Sequence, residues 1–161
     1  MTEADFKLLG SQLQALIADE SDALANAANF VALLHNAMDD INWLGIYVLR
    51  GDELVLGPFQ GQPACVRIPL GSGVCGTAAN TATTLRIADV HEFAGHIACD
   101  PVSRSELVVP LVIDEKLVGV LDIDSPEKGR FSAEDQAGAE ALCSILLRVL
   151  EARGQPLIEF I

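Results

Sequence analysis

The chain has 161 residues, 23 of them acidic against 10 basic, for a formal charge of −13. Half the residues are hydrophobic, which supplies a core and excludes a disordered chain, while the charge excludes unaided binding to nucleic acid or anionic membranes. No apolar run approaches the roughly 18 residues of a membrane span, and acidic Met1–Asp5 does not open a secretion signal.

A cytoplasmic location is therefore expected, and the length suits one domain over residues 1–161. In a reducing compartment the four cysteines, Cys65, Cys75, Cys99 and Cys143, are expected to be catalytic, metal-binding or buried rather than disulfide staples.

Helices are predicted over about residues 2–38. Leu8, Leu9, Leu13, Leu16 and Ile17 form one apolar stripe, and Leu24, Ala28, Val31, Leu34 and Met38 a second, with Ser21 as its cap. From Asn42 the period becomes strand-like, and the sheet and its loops are expected over about 42–125. Trp43 to Leu49 and Leu54 to Phe59 form a hairpin turning at Arg50-Gly51-Asp52. Val66 to Leu70 is a short strand ended by Gly71-Ser72-Gly73. A helix follows over Cys75 to Thr81, then an extended segment over Thr84 to Ala88. Asp89 to Ser105 has no period, and a loop of that length is usually functional. Leu107 to Ile113 and Leu117 to Ile123 form a second hairpin. Ser132, with Glu134 and Asp135 behind it, opens a last helix over about 132–153. The sum is an α+β domain.

Each cysteine sits in a different setting. Cys143 shares a helix face with Ala139, Leu142, Leu146, Val149 and Leu150, which reads as core. Cys75 stands where a glycine-rich turn meets a helix start. There the orphan amides and dipole favour a thiolate, unless the residue is only a small one packed at the turn. Cys99 lies in the long loop near His91 and His96, either of which could activate it. A zinc site through His91, His96 and Cys99 matches no usual spacing, and no metal is expected. Cys65 falls in a mobile turn. A loop thiol with a second one nearby is what a dithiol cycle needs.

Alternation places Asp122 and Asp124 on one face of their strand, with Leu121 and Ile123 on the other. Glu106, at the head of the preceding strand, is within reach across the hairpin. Carboxyls converging there raise one another's pKa and keep a proton at neutral pH; the alternative is a solvated strand edge. Trp43 and Tyr47 bracket Gly45 on one face, a shape that seats a small ligand against an aromatic wall.

Asn42-Trp43, Gly57-Pro58-Phe59-Gln60-Gly61, Ala64-Cys65-Val66-Arg67-Ile68-Pro69, Gly73-Val74-Cys75-Gly76-Thr77-Ala78, Gly95-His96-Ile97-Ala98-Cys99-Asp100 and Gly119-Val120-Leu121-Asp122-Ile123-Asp124-Ser125-Pro126 resemble the free methionine-(R)-sulfoxide reductases, which are single GAF domains. The resemblance runs from about Asn42 to Ala141. It implies a central antiparallel sheet with the terminal helices on one face and a loop-covered pocket on the other. It also implies that Cys99 attacks the sulfoxide sulfur of free methionine-(R)-sulfoxide and that Cys65 resolves the sulfenic acid, with Cys75 a further or alternative partner. Trp43, Tyr47, Glu106, Asp122 and Asp124 match the pocket residues. No bound cofactor is implied, only thioredoxin as reductant with NADPH behind it, and a homodimer. The competing expectation is a GAF module that senses a nucleotide or metabolite without catalysis.

Overall fold

The computed structural model describes residues 1–95, 97 and 101–154. Two helices, α1 (Glu3–Ile17) and α2 (Ala23–Ala37), precede the hairpin β1 (Trp43–Arg50) and β2 (Glu53–Gly61). Next come β3 (Arg67–Pro69), α3 (Gly73–Thr81) and β4 (Leu85–Ile87). A single 3₁₀ turn over Val90–Glu92 follows. A second hairpin, β5 (Ser105–Ile113) and β6 (Lys116–Ser125), then leads into α4 (Ala133–Ala152).

Local chemistry sets several of these boundaries. The Ser132 hydroxyl accepts from the Asp135 amide while the Asp135 carboxylate accepts from the Ser132 amide, a reciprocal box that starts α4. Thr2 and Asp5 repeat the arrangement at α1. Gly51, with φ of +65°, turns the first hairpin, and Asp114 and Glu115, at +49° and +62°, turn the second. The cap of α2 is Asp22, whose side chain accepts from the Ala25 amide, and not Ser21. The shift by one residue puts a carboxylate at the positive end of the helix.

All six strands join one antiparallel sheet in the order β3-β2-β1-β6-β5-β4. One face packs α1, α2 and α4 against Leu44, Ile46, Val48, Leu107, Val109, Leu111, Leu121 and Ile123. The other carries Trp43, Tyr47, Val108 and Val120, covered by Val74, Cys75, Ala78 and Ala79 of α3. The expected α+β architecture is therefore present, with the terminal helices on one side of the sheet.

The predicted helix stripes need correction. In α1 the buried face is Phe6, Leu9, Gly10, Leu13 and Ile17, whereas Leu8 and Leu16 are exposed. In α2 it is Asn26, Ala27, Phe30, Val31 and Leu34, followed by Met38, while Leu24 and Ala28 face outward. The contact that selects the α1 face is tertiary. Phe6 lies so close over Gly138 of α4 that a Cβ there would sit 2.2 Å from its Cγ. Cys143, on the inner face of α4, is fully packed as expected.

Candidate active site

The pocket lies on the sheet face opposite the terminal helices. Tyr47, Ile68, Ser72, Gly73, Val74, Cys75, Ile97, Ser103, Glu106, Asp122 and Asp124 line it. It encloses about 400 Å³ of empty space, its mouth included. Its acids come from the adjacent strands β5 and β6. β6 lies between β1 and β5, and the register sets Asp124 opposite both Trp43 and Glu106, and Asp122 opposite Gly45 and Val108. Directly paired residues share a face, so Glu106, Asp122 and Asp124 converge. Glu106 and Asp122 are each 6 % exposed, which removes the solvated-edge alternative.

Burial governs the charge state here. Desolvation, reinforced by Asp122 and Asp124, pushes the Glu106 carboxyl well above the usual range. Desolvation also raises Asp122, to about 6, although hydrogen bonds from Cys75 and Glu106 oppose the shift. Burial thus drives both carboxyls toward the protonated form, and the two are hydrogen-bonded to each other. The pair behaves as one acidic unit with a proton in reserve at neutral pH.

Cys75 contradicts the thiolate expected of its position. It sits in the first turn of α3, whose N-terminal residue Ser72 makes no capping hydrogen bond with its side chain, but its own side chain is buried and faces two acids. Its Sγ donates to Glu106 Oε1 at 3.6 Å. Desolvation, then the charges of Asp122 and Glu106, drive its pKa up. A helix start contributes a fraction of a unit charge at best, and two buried carboxyls outweigh it.

The aromatic wall also differs from expectation. The space over Gly45 seats no ligand, because the Trp43 indole fills it: a Cβ at Gly45 would lie 2.4 Å from Trp43 Cη2. Trp43 stacks on Tyr47 with centroids 5.8 Å apart and on Phe59 at 5.4 Å. Tyr47 faces the pocket, and Trp43 and Phe59 back it.

Both aromatics hold the segment between β2 and β3. The Trp43 indole N–H donates to the Gln62 carbonyl at 3.0 Å, and the Tyr47 hydroxyl donates to the Cys65 carbonyl at 2.9 Å. The expected mobile turn is pinned at both ends. Cys65 is half-buried and disulfide-bonded, whereas Cys75 and Cys143 are free thiols. Cys99 and His96 lie outside the described residues. His91 is placed: its Nδ1 meets Asp89 Oδ1 at 3.1 Å on an exposed surface. Asp89 also pairs with Lys128, and these partners, Lys128 foremost, hold its carboxyl down at about 2.

Sequence reasoning meets Phe59, Ser72 and Ser103 only within motifs and turns and does not name them as site residues. Ser103 accepts from the Asn42 side-chain amide at 3.0 Å, a contact between residues 61 apart in the chain that no local pattern announces. Ile97 packs against Gly73, where a Cβ would meet its Cγ1 at 3.3 Å.

Comparison with known proteins agrees with this geometry. The GAF domain family matches residues 12–148. A free methionine-R-sulfoxide reductase of Escherichia coli is 54% identical over 142 residues, covering 88% of this chain and 86% of that protein. A Neisseria meningitidis free methionine-R-sulfoxide reductase, solved in complex with its substrate, superposes with a TM-score of 0.90 at 42% identity, covering 94% of this chain and 92% of that one. The Staphylococcus aureus fRMsr, also solved with substrate, gives 0.86 at 50% identity, covering 90% and 95%.

Proposed function

Because this chain belongs to the free methionine-R-sulfoxide reductase family and carries its GAF domain, we propose that it reduces the (R)-sulfoxide of free methionine with its own thiols. The observation that carries the reading is the convergence of Glu106, Asp122 and Asp124 beside Tyr47 in one small pocket. A free amino acid brings an α-ammonium group that ionised Asp122 and Asp124 can pair with. Methionine inside a protein lacks that group and would leave the buried acids without a partner. Tyr47 offers an apolar face to the S-methyl end.

In this reading the Cys99 thiol attacks the sulfoxide sulfur and the Glu106–Asp122 unit protonates the sulfoxide oxygen. The oxygen passes to Cys99 as a sulfenic acid, and methionine leaves reduced. The Cys65 thiol displaces that oxygen as water, closing a disulfide between Cys65 and Cys99. A dithiol reductant of the thioredoxin type, recharged from NADPH, restores both thiols. Support for this pairing comes from Cys65 being disulfide-bonded while Cys75 and Cys143 are free. Cys75, neutral and buried, suits a secondary role. We further propose that the enzyme works in the cytoplasm as a homodimer.

The test is NADPH oxidation coupled through thioredoxin and its reductase. Free methionine-(R)-sulfoxide should be consumed, and the (S) epimer and the N-acetylated or peptide-bound sulfoxide should be poor substrates. No turnover of the free (R) epimer under fully reducing conditions overturns the proposal.

A further inference from the structure

Cys75 has a second chemistry open to it. Its Sγ and one carboxylate oxygen each from Glu106 and Asp122 all lie within 4.8 Å of one another. The three residues come from α3, β5 and β6, so the cluster is assembled by the fold and held by the register of the central strands. The 3.6 Å from Cys75 Sγ to Glu106 Oε1 matches the sulfur–oxygen edge of a tetrahedron around an ion with bonds of about 2.3 Å to sulfur and about 2.0 Å to oxygen. Asp122 supplies an independent sign. Although the residue is 6 % exposed and Cys75 and Glu106 donate toward its carboxylate, its Oδ1 is left with no hydrogen-bond partner among the described residues. Such a buried acceptor without a donor is costly in the absence of a ligand.

We propose that the reduced pocket binds a thiophilic divalent cation such as zinc through Cys75, Glu106 and Asp122, and that this cation competes with the amino-acid substrate. One thiolate with two carboxylates selects zinc-like ions over magnesium or calcium, which want oxygen alone. The remaining position of the tetrahedron opens on the pocket, where a water molecule completes the set. The protons held by the thiol and the carboxyls are released to solvent as the ion enters, so its charge replaces theirs in the same low-dielectric site. The competition part rests on the activity proposed above, since the cation and the α-ammonium both need the Asp122 carboxylate. The cation site itself does not depend on that activity.

The test uses a Cys65→Ser/Cys99→Ser double variant, whose remaining thiols are Cys75 and Cys143. Anaerobic titration with Co²⁺ should give one ion per chain, with thiolate charge-transfer absorption and tetrahedral ligand-field bands that zinc abolishes. Adding Cys75→Ser should remove the charge-transfer band and weaken binding roughly tenfold or more, at least the effect of losing an outer partner. Asp122→Asn should weaken it too while the thiol remains, and Cys143→Ser should change nothing; far-ultraviolet circular dichroism checks the fold of each. Because the double variant cannot turn over, methionine-(R)-sulfoxide can be added directly and should raise the apparent Kd for the cation. Absence of stoichiometric binding, or a charge-transfer band that survives Cys75→Ser, overturns the site. Binding without competition overturns the inhibitory part. Turnover by the unmodified protein in chelator-treated buffer tests the reductase reading separately.

Discussion

The Tyr47 hydroxyl donates to the main-chain carbonyl of Cys65 at 2.9 Å, so a residue of the pocket wall holds the backbone that carries the proposed resolving thiol. Tyr47→Phe keeps the ring and its stacking and removes only that hydrogen bond, worth about 1 kcal/mol or roughly fivefold in a rate. The expected defect is in disulfide closure. Methionine released per enzyme in a reductant-free burst should stay near the unmodified level, while the lifetime of the sulfenic acid, read by trapping with a dione, should lengthen several-fold. A burst that falls while the sulfenic acid lifetime stays the same would place Tyr47 in substrate binding alone.

The two thiols of the proposed cycle should separate cleanly. Cys99→Ser should abolish methionine formation even in a single turnover. Cys65→Ser should release about one methionine per chain and then stall with thioredoxin, because nothing closes the disulfide that thioredoxin reduces. Mass spectrometry of the stalled protein should find the added oxygen. Retained turnover in Cys99→Ser would show that a different sulfur is the nucleophile.

Asp122 should cost the protein stability at neutral pH. Its folded-state pKa of about 6 lies above the ordinary 3.8, so across that window the folded state holds more protons than the unfolded one. Stability should therefore fall as pH rises from about 4 to about 6. A shift of about two pH units corresponds to about 3 kcal/mol at most. Asp122→Asn should accordingly raise the unfolding free energy of the reduced protein at pH 7 by on the order of 1–3 kcal/mol, with the gain shrinking toward pH 4. Urea titrations at the two pH values decide it, and a variant weakened equally at both would contradict the assignment.

Gly45→Ala tests the aromatic stack. The new methyl would fall 2.4 Å from Trp43 Cη2 and 2.6 Å from Phe59 Cβ, contacts that require the rings to move. A loss of about 1–3 kcal/mol is expected for overpacking of this kind, read as a lower Tm. Since Trp43 stacks on Tyr47, KM should rise as well. An unchanged Tm would mean the stack repacks freely.

What the sequence disclosed was local or periodic. Ser132 with Asp135 and the turn at Gly51 each act within a few residues, and each stands where the local pattern puts it. The shared face of Asp122 and Asp124 followed from strand alternation, and Glu106 from the hairpin beside it. Features set by tertiary packing stayed hidden. The α1 stripe was misassigned because Phe6 is chosen by a glycine on α4, and a glycine leaves no trace in a hydrophobic pattern. Of the two readings of Cys75, the packed one holds and the thiolate fails, for a related reason. The helix start is visible in the chain, but the acids that oppose it are 31 and 47 positions away and reach it only through the sheet. The tie from Asn42 to Ser103 has no local signature at all.

The anchoring of the segment from Gln62 to Cys65 has a consequence for how this chain can drift. Trp43 and Tyr47 grip two carbonyl oxygens, and every amino acid, proline included, presents the same carbonyl. Substitutions at Gln62, Pro63 and Ala64 can therefore accumulate without loosening the hold, provided the segment keeps its length and the cysteine its place. An insertion or deletion of one residue there would do more damage than replacing all three side chains.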